Sequence, residues 1–109
     1  MQLEFKVIDE DLLVNFNGEL DHHTAKDARE SIDSAYDSRN VKNIVIDLNE
    51  LNFMDSSGIG LLMGRYKIAS QNGGKLYIKN VSDRVEKILN MSGMLKIVNI
   101  IHEDGQVNS

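Results

Sequence analysis

The chain has 109 residues, of which 41% are hydrophobic, 27% charged and 6% aromatic; 17 acidic side chains face 12 basic ones, for a formal net charge of −5. This balance fits one soluble domain (1–109) with a single core, hiding about 60 to 70% of the surface that the unfolded chain exposes. The acidic excess argues against nucleic acid or anionic lipid as the main partner, and zero cysteines exclude disulfides, thiolate nucleophiles and cysteine-type zinc sites.

The opening MQLEFKVIDED has no basic start followed by an apolar run, so it does not read as a signal peptide, and no stretch approaches about 18 apolar residues. The expectation is a cytoplasmic protein that engages no membrane. Leu3, Phe5 and Val7 alternate with Glu4 and Lys6, and Leu12, Val14 and Phe16 alternate across Asn15, the period-2 pattern of two half-buried strands joined by a turn at Asp9, Glu10 and Asp11. Thr24 stands before Asp27 at capping-box-like spacing, and Ala25, Ala28, Ile32, Ala35 and Tyr36 then recur at helical intervals. On that helix Lys26, Arg29, Glu30 and Asp33 read as a solvated face.

Val41 to Leu48 carries Ile44, Val45 and Ile46 in succession, which predicts a central strand covered on both faces. Ile59, Leu62, Met63 and Tyr66 have the i, i+3, i+4, i+7 spacing of a second helix, ended by Asn72, Gly73 and Gly74. Leu76 and Ile78 then form a strand. Ser82 is placed to cap a third helix with Val85, Ile88 and Leu89 inward and Gly93 closing it, and Ile97, Val98 and Ile100 form a last strand. The order ββαβαβαβ predicts an α/β fold, a mixed sheet of four to five strands with three or four helices, and a frayed tail over about 103–109.

The informative stretch is Asn52-Phe53-Met54-Asp55-Ser56-Ser57-Gly58-Ile59-Gly60, where a strand gives way to a helix. Asp55, Ser56 and Ser57 offer side-chain oxygens to the unpaired N–H groups of the first helical turn. Gly58, Gly60 and Gly64 are poor helix formers, each costing up to about 1 kcal/mol against alanine, which close approach by another surface would offset. The simplest alternative is that Asp55 or Ser56 is only a cap and the glycines pack on the sheet. A serine hydroxyl held at a helix start also suits phosphorylation, which would add about −1.5 to −2 charge beside Asp55. No GxGxxG fingerprint, GxxxxGK loop or GxSxG elbow surrounds these residues, and Asp21, His22 and His23 lack a third metal ligand at suitable spacing.

Gly18-Glu19-Leu20-Asp21-His22-His23-Thr24-Ala25, Phe53-Met54-Asp55-Ser56-Ser57-Gly58-Ile59-Gly60, Gly64-Arg65-Tyr66-Lys67 and Met91-Ser92-Gly93-Met94-Leu95-Lys96-Ile97 together resemble the STAS-domain anti-sigma factor antagonists, most like the sporulation sigma-F branch. The resemblance covers essentially the whole chain. It implies a STAS-like domain, monomeric when free, that binds an anti-sigma factor serine kinase, releases the sigma factor and is phosphorylated at Ser56; a PP2C-type serine phosphatase would restore it. On this reading the chain is no enzyme and holds no cofactor or metal, since ATP and magnesium belong to the kinase. The same resemblance makes Glu19, Asp21, Thr24, Asp55, Ser56, Ser57 and Gly58 the expected partner-binding residues, with Ser57 the rival acceptor and Arg65 and Lys67 equally readable as surface charges. The alternatives are a STAS module sensing a small ligand or nucleotide, which needs a concave polar site, and a hydrolase using Ser56 or Ser57, which needs a base within reach of the hydroxyl.

Overall fold

The computed structural model describes residues 1–101 and, as backbone, Val107–Asn108. Strands β1 (Gln2–Ile8), β2 (Asp11–Leu20), β3 (Asn43–Met54), β4 (Leu76–Lys79), β5 (Asn99–Ile101) and β6 (Val107–Asn108) make one sheet in the order β1-β2-β3-β4-β5-β6. The outer pairs β1–β2 and β5–β6 are antiparallel, and the three inner pairs are parallel. Helices α1 (Ala25–Ser38), α2 (Ser56–Gln71) and α3 (Asp83–Met91) make the crossovers, and a 3-10 turn (Met94–Lys96) leads into β5. The sheet thus has one strand more than expected, the two-residue β6; the rest of the predicted frayed tail lies outside the described residues. No helix among the described residues is long and apolar enough to cross a membrane.

Register explains where the core sits. Leu12, Ile44 and Leu76 line up across the sheet, as do Phe5, Val14, Ile46, Ile78 and Ile100 in the next row. All of these except the half-buried Phe5 are buried in one cluster with Ala28, Ile32 and Tyr36 of α1, Leu61, Leu62 and Ala69 of α2, and Val85 and Leu89 of α3. Three parallel crossovers stepping in the same direction across a sheet, each right-handed, place every helix on the same face. β3 is therefore covered by helices on one face only, which corrects the expectation of cover on both. The other face carries Lys6, Leu13, Val45, Tyr77 and Asn99 in one row and Glu4, Asn15, Asp47, Lys79 and Ile101 in the next. Val45 stays buried there because Leu13 and Tyr77 flank it in its row, so the run of three apolar residues arises without a second layer. Polar side chains pair among themselves on this face: Asn15 donates to Glu50 at 2.8 Å and Asn80 to Asp47 at 2.8 Å.

The buried stripe of α2 is Gly58, Leu61, Leu62, Arg65 and Ala69, not the predicted Ile59, Leu62, Met63 and Tyr66. Of that predicted set only Leu62 is buried, and the other three lie half-buried on its flanks. Arg65 is 4% exposed, which overturns its reading as a surface charge; its Nε lies 2.9 Å from Oδ1 of Asp33 on α1. Asp33, expected on a solvated face, thus joins α1 to α2. The contact is a close charge pair rather than an aligned hydrogen bond, since Nε and Nη1 of Arg65 and Oδ1 of Asp33 have no hydrogen-bond partner among the described residues. Burial pushes the Asp33 carboxyl above its ordinary value despite Arg65, and burial pulls the Arg65 guanidinium below its own. Both shifts favour the neutral forms, the signature of a pair whose desolvation outweighs its attraction. Because the Asp33 pKa is raised by folding, its contribution is fullest below the unfolded value and falls as pH rises through the folded one, so acidification does not weaken the fold through this group.

Breaking such a pair from one side strands a buried charge. Asp33→Ala is expected to lower unfolding free energy by about 1 to 3 kcal/mol, the partial exposure of Asp33 trimming the cost of a fully buried pair. The double replacement Asp33→Leu/Arg65→Met is expected to be more stable than Asp33→Ala alone. Urea unfolding of the two variants and the parent, with m-values compared, measures both.

Candidate functional site

Because β2 and β3 are parallel, their C-terminal ends lie side by side, with Glu19 opposite Phe53 and Leu20 opposite Met54. The backbone N–H of Asp55 donates to the Leu20 carbonyl at 3.3 Å, carrying that pairing into the turn before α2. Two turns, Asp21–Thr24 before α1 and Asp55 before α2, therefore meet at one end of the sheet. This brings the predicted residues Glu19, Asp21, Thr24, Asp55, Ser56 and Ser57 into a single neighbourhood.

At the head of α2 the capping question has a definite answer. Asp55 is extended (φ −115°, ψ −167°) and its carboxylate accepts from the Ser57 N–H at 2.8 Å, while its carbonyl accepts from the Gly58 N–H at 3.0 Å. With Asp55 as cap, Ser56 begins the helix, is exposed, and its hydroxyl makes no hydrogen bond among the described residues. Ser57 is half-buried one position further on.

Gly58 differs from its expected role as a partner contact. It is buried, and a Cβ there would collide with Met54 Cγ, lie 2.7 Å from Met54 Sδ and 3.1 Å from Leu20 Cδ2. Its lack of side chain lets α2 close onto the ends of β2 and β3. Gly60 and Gly64 are different, since a Cβ at either would meet nothing within 4 Å.

The turn before α1 is organised by Asp21 rather than by a capping box. The Asp21 carboxylate accepts from the N–H of His23 at 2.8 Å and of Thr24 at 3.1 Å. The Thr24 hydroxyl donates to the Glu19 carbonyl at 2.8 Å and makes no cap to α1, which corrects the Thr24–Asp27 expectation. Desolvation raises the Asp21 pKa, but the Thr24 and His23 N–H groups, the Thr24 hydroxyl and the charge of His23 outweigh it, so the carboxyl sits below its ordinary value. The turn therefore holds its carboxylate ionised, and Glu19 beside it is exposed.

Two features of this end carry no strong sequence signal. Phe53 is 37% exposed just before the cap, with the Arg84 guanidinium carbon 6.0 Å from its ring centre. Lys26 and Arg29, expected merely as solvated charges, line a groove of about 440 Å³ with His22, Ser57, Gly60 and Leu61 between α1 and α2. Their i, i+3 spacing on α1 was the available clue.

The STAS domain family model matches residues 2–105. The chain belongs to the STAS domain family. An anti-sigma F factor antagonist of Paenibacillus polymyxa is 44% identical over 98 residues, 90% of this chain and 82% of that protein. The structure of the anti-sigma factor antagonist SpoIIAA in its unphosphorylated form superposes with a TM-score of 0.80 at 29% identity, covering 94% of this chain and 90% of that one. That of the Bacillus cell fate determinant SpoIIAA in the phosphorylated form superposes at 0.73 with the same identity, covering 94% of each chain. The predicted STAS-like α/β domain is thus the observed fold, and the Paenibacillus protein and SpoIIAA bear the name of anti-sigma factor antagonists.

Two outcomes follow from the local geometry of this STAS domain. Gly60→Ala is expected to raise unfolding free energy by up to about 1 kcal/mol, since the methyl meets no neighbour and helix propensity improves. Gly58→Ala is expected to lower it by about 1 to 3 kcal/mol through overpacking against Met54; thermal and urea unfolding distinguish the two. The Asp21 contribution is present above the ordinary aspartate pKa and lost as pH falls through its lowered value. In a 15N-resolved titration the His23 and Thr24 amide shifts should therefore move together, with a midpoint below the ordinary aspartate value; a midpoint at or above it would remove the assigned hydrogen bonds.

Proposed function

We propose that this STAS domain is an anti-sigma factor antagonist switched by phosphorylation of Ser56. The unphosphorylated form binds an anti-sigma factor that is also a serine kinase, in the cytoplasm, and the bound sigma factor is released. The kinase transfers the γ-phosphoryl group of MgATP to the Ser56 hydroxyl oxygen, giving phosphoserine, ADP and a proton. A PP2C-type phosphatase with manganese or magnesium then hydrolyses the ester, returning the hydroxyl and inorganic phosphate. The chain is the substrate of both enzymes and needs no cofactor of its own.

One observation carries this reading: Asp55, not Ser56, caps α2, which leaves the Ser56 hydroxyl exposed, uncommitted and fixed in position by the helix it begins. The names of the relatives and the SpoIIAA structures in two phosphorylation states support the same reading. Glu19, Asp21 and Asp55 surround the strand ends with carboxylates suited to basic groups on the kinase. A phosphate at Ser56 adds about −1.5 to −2 charge beside Asp55. The positive N-terminus of α2 tolerates that charge in the free protein, whereas an interface fitted to a neutral hydroxyl must desolvate it. A cost of about 3 to 4 kcal/mol would weaken a nanomolar complex to micromolar, so local exclusion suffices without refolding. Both SpoIIAA forms resemble this one fold, in keeping with a local switch.

Mixing the protein with its cognate anti-sigma kinase and MgATP and mapping the phosphate by mass spectrometry tests the assignment. Phosphate is expected on Ser56, with Ser56→Ala binding the kinase unmodified and Ser56→Asp binding at least about tenfold more weakly. Phosphate on Ser57, or equal affinity of the phosphorylated and unphosphorylated proteins, would overturn it.

A further inference from the structure

The groove between the N-terminal turns of α1 and α2 has a charge opposite to that of the chain as a whole. Lys26 and Arg29 border it together with His22, and no carboxylate is among the residues lining it. Both cations are exposed, and neither has a carboxylate within 4.0 Å among the described residues. Asp33, one turn along from Arg29, is held instead at 2.9 Å from Arg65. The first two turns of α2 contribute the uncharged Ser57 and Gly60 to the opposite wall, so Lys26 and Arg29 set the charge of the groove. At Gly60 the wall is open, since a Cβ there would touch nothing within 4 Å. A backbone could approach α2 closely at that point.

We propose that this groove receives a short acidic segment of the anti-sigma factor, its carboxylates meeting Lys26 and Arg29 while its backbone passes over Gly60. The inference rests on the reading of the chain as an anti-sigma factor antagonist and adds to it a second, oppositely charged contact beside Ser56. Glu19, Asp21 and Asp55 call for basic groups on the partner, and Lys26 and Arg29 for acidic ones. A surface that carries both signs fixes orientation better than one of a single sign, because a misplaced partner meets like charge. A long polyanion is disfavoured as occupant by the net charge of −5, whereas a segment with two or three carboxylates needs only the groove.

The test compares binding of the cognate anti-sigma factor to the parent and to Lys26→Glu/Arg29→Glu at about 50 mM and about 500 mM salt, where screening differs several-fold in range. The double variant is expected to bind about tenfold or more weakly at low salt, with the gap narrowing at high salt. Lys67→Glu, an exposed charge on α2 outside the groove, is expected to bind as the parent does. Gly60→Leu is expected to unfold no earlier than the parent yet lose affinity. In a separate arm, a hexaglutamate peptide titrated into 15N-labelled protein should shift the amides of Lys26, Arg29, Ser57 and Gly60, and hexalysine should leave those of Lys26, Arg29 and Gly60 unmoved. A parent that binds while the double variant binds equally well overturns the groove contact and leaves the antagonist reading intact. A parent that binds no anti-sigma factor overturns that reading, and the hexaglutamate arm then decides the groove by itself: no shift at these four amides removes it.

Discussion

The hydrogen bond from the Ser57 N–H to the Asp55 carboxylate is the contact on which the site depends. It assigns the capping role to Asp55, starts α2 at Ser56 and so determines which hydroxyl is left free. The same residue is tied backwards, through its own N–H, to the Leu20 carbonyl at the end of β2. One aspartate therefore joins the helix to two strands, and Gly58 allows the helix to settle against Met54 and Leu20 behind it. The exposed serine is held by parts of the structure that are themselves buried.

The rest of the molecule supplies a stiff base for that corner. The aligned rows of Leu12, Ile44 and Leu76 and of Val14, Ile46, Ile78 and Ile100 set strand register, because a slip of one residue would turn each row to the opposite face. α1 and α2 are locked side by side by apolar contact and by the Arg65–Asp33 pair. Such pairs add little net stability, but they penalise rotation of either helix, since any shift that parts them leaves a guanidinium stranded in the core. The floor of the groove beside Ser57 depends on the same arrangement.

Much of this was legible in the residues. Strand alternation located β1, β2 and β4, Ser82 does cap α3 by accepting from the Val85 N–H at 3.2 Å, and the Asp-Ser-Ser-Gly run marked the head of α2. The failures have physical causes. Periodicity counts apolar side chains, so it could not show that Gly58 and Arg65 lie on the buried stripe of α2, one because it has no side chain and the other because a partner on another helix neutralises it. A run of three apolar residues in β3 predicts helices on both faces, but apolar neighbours along one row, Leu13 and Tyr77, shield Val45 well enough. The capping box at Thr24 failed because its hydroxyl oxygen accepts from the Asp21 N–H at 3.0 Å and its backbone is already helical (φ −100°, ψ −19°), neither of which spacing shows. Lys26 and Arg29 became notable only when the fold placed them across from α2.

The strand order has a consequence for how the chain acquires this shape. Each strand lies against the one immediately before it in sequence, from β1 to β6, with no strand inserted between earlier neighbours. Every sheet contact is thus formed across at most one intervening helix, which keeps loop closure short for a parallel architecture. During synthesis, an emerging strand finds its docking edge already displayed and never has to wait for a later one to open a place for it. Ser56 accordingly leaves the ribosome after both strands that anchor it, and its corner draws no strand pairing from any part of the chain that follows α2.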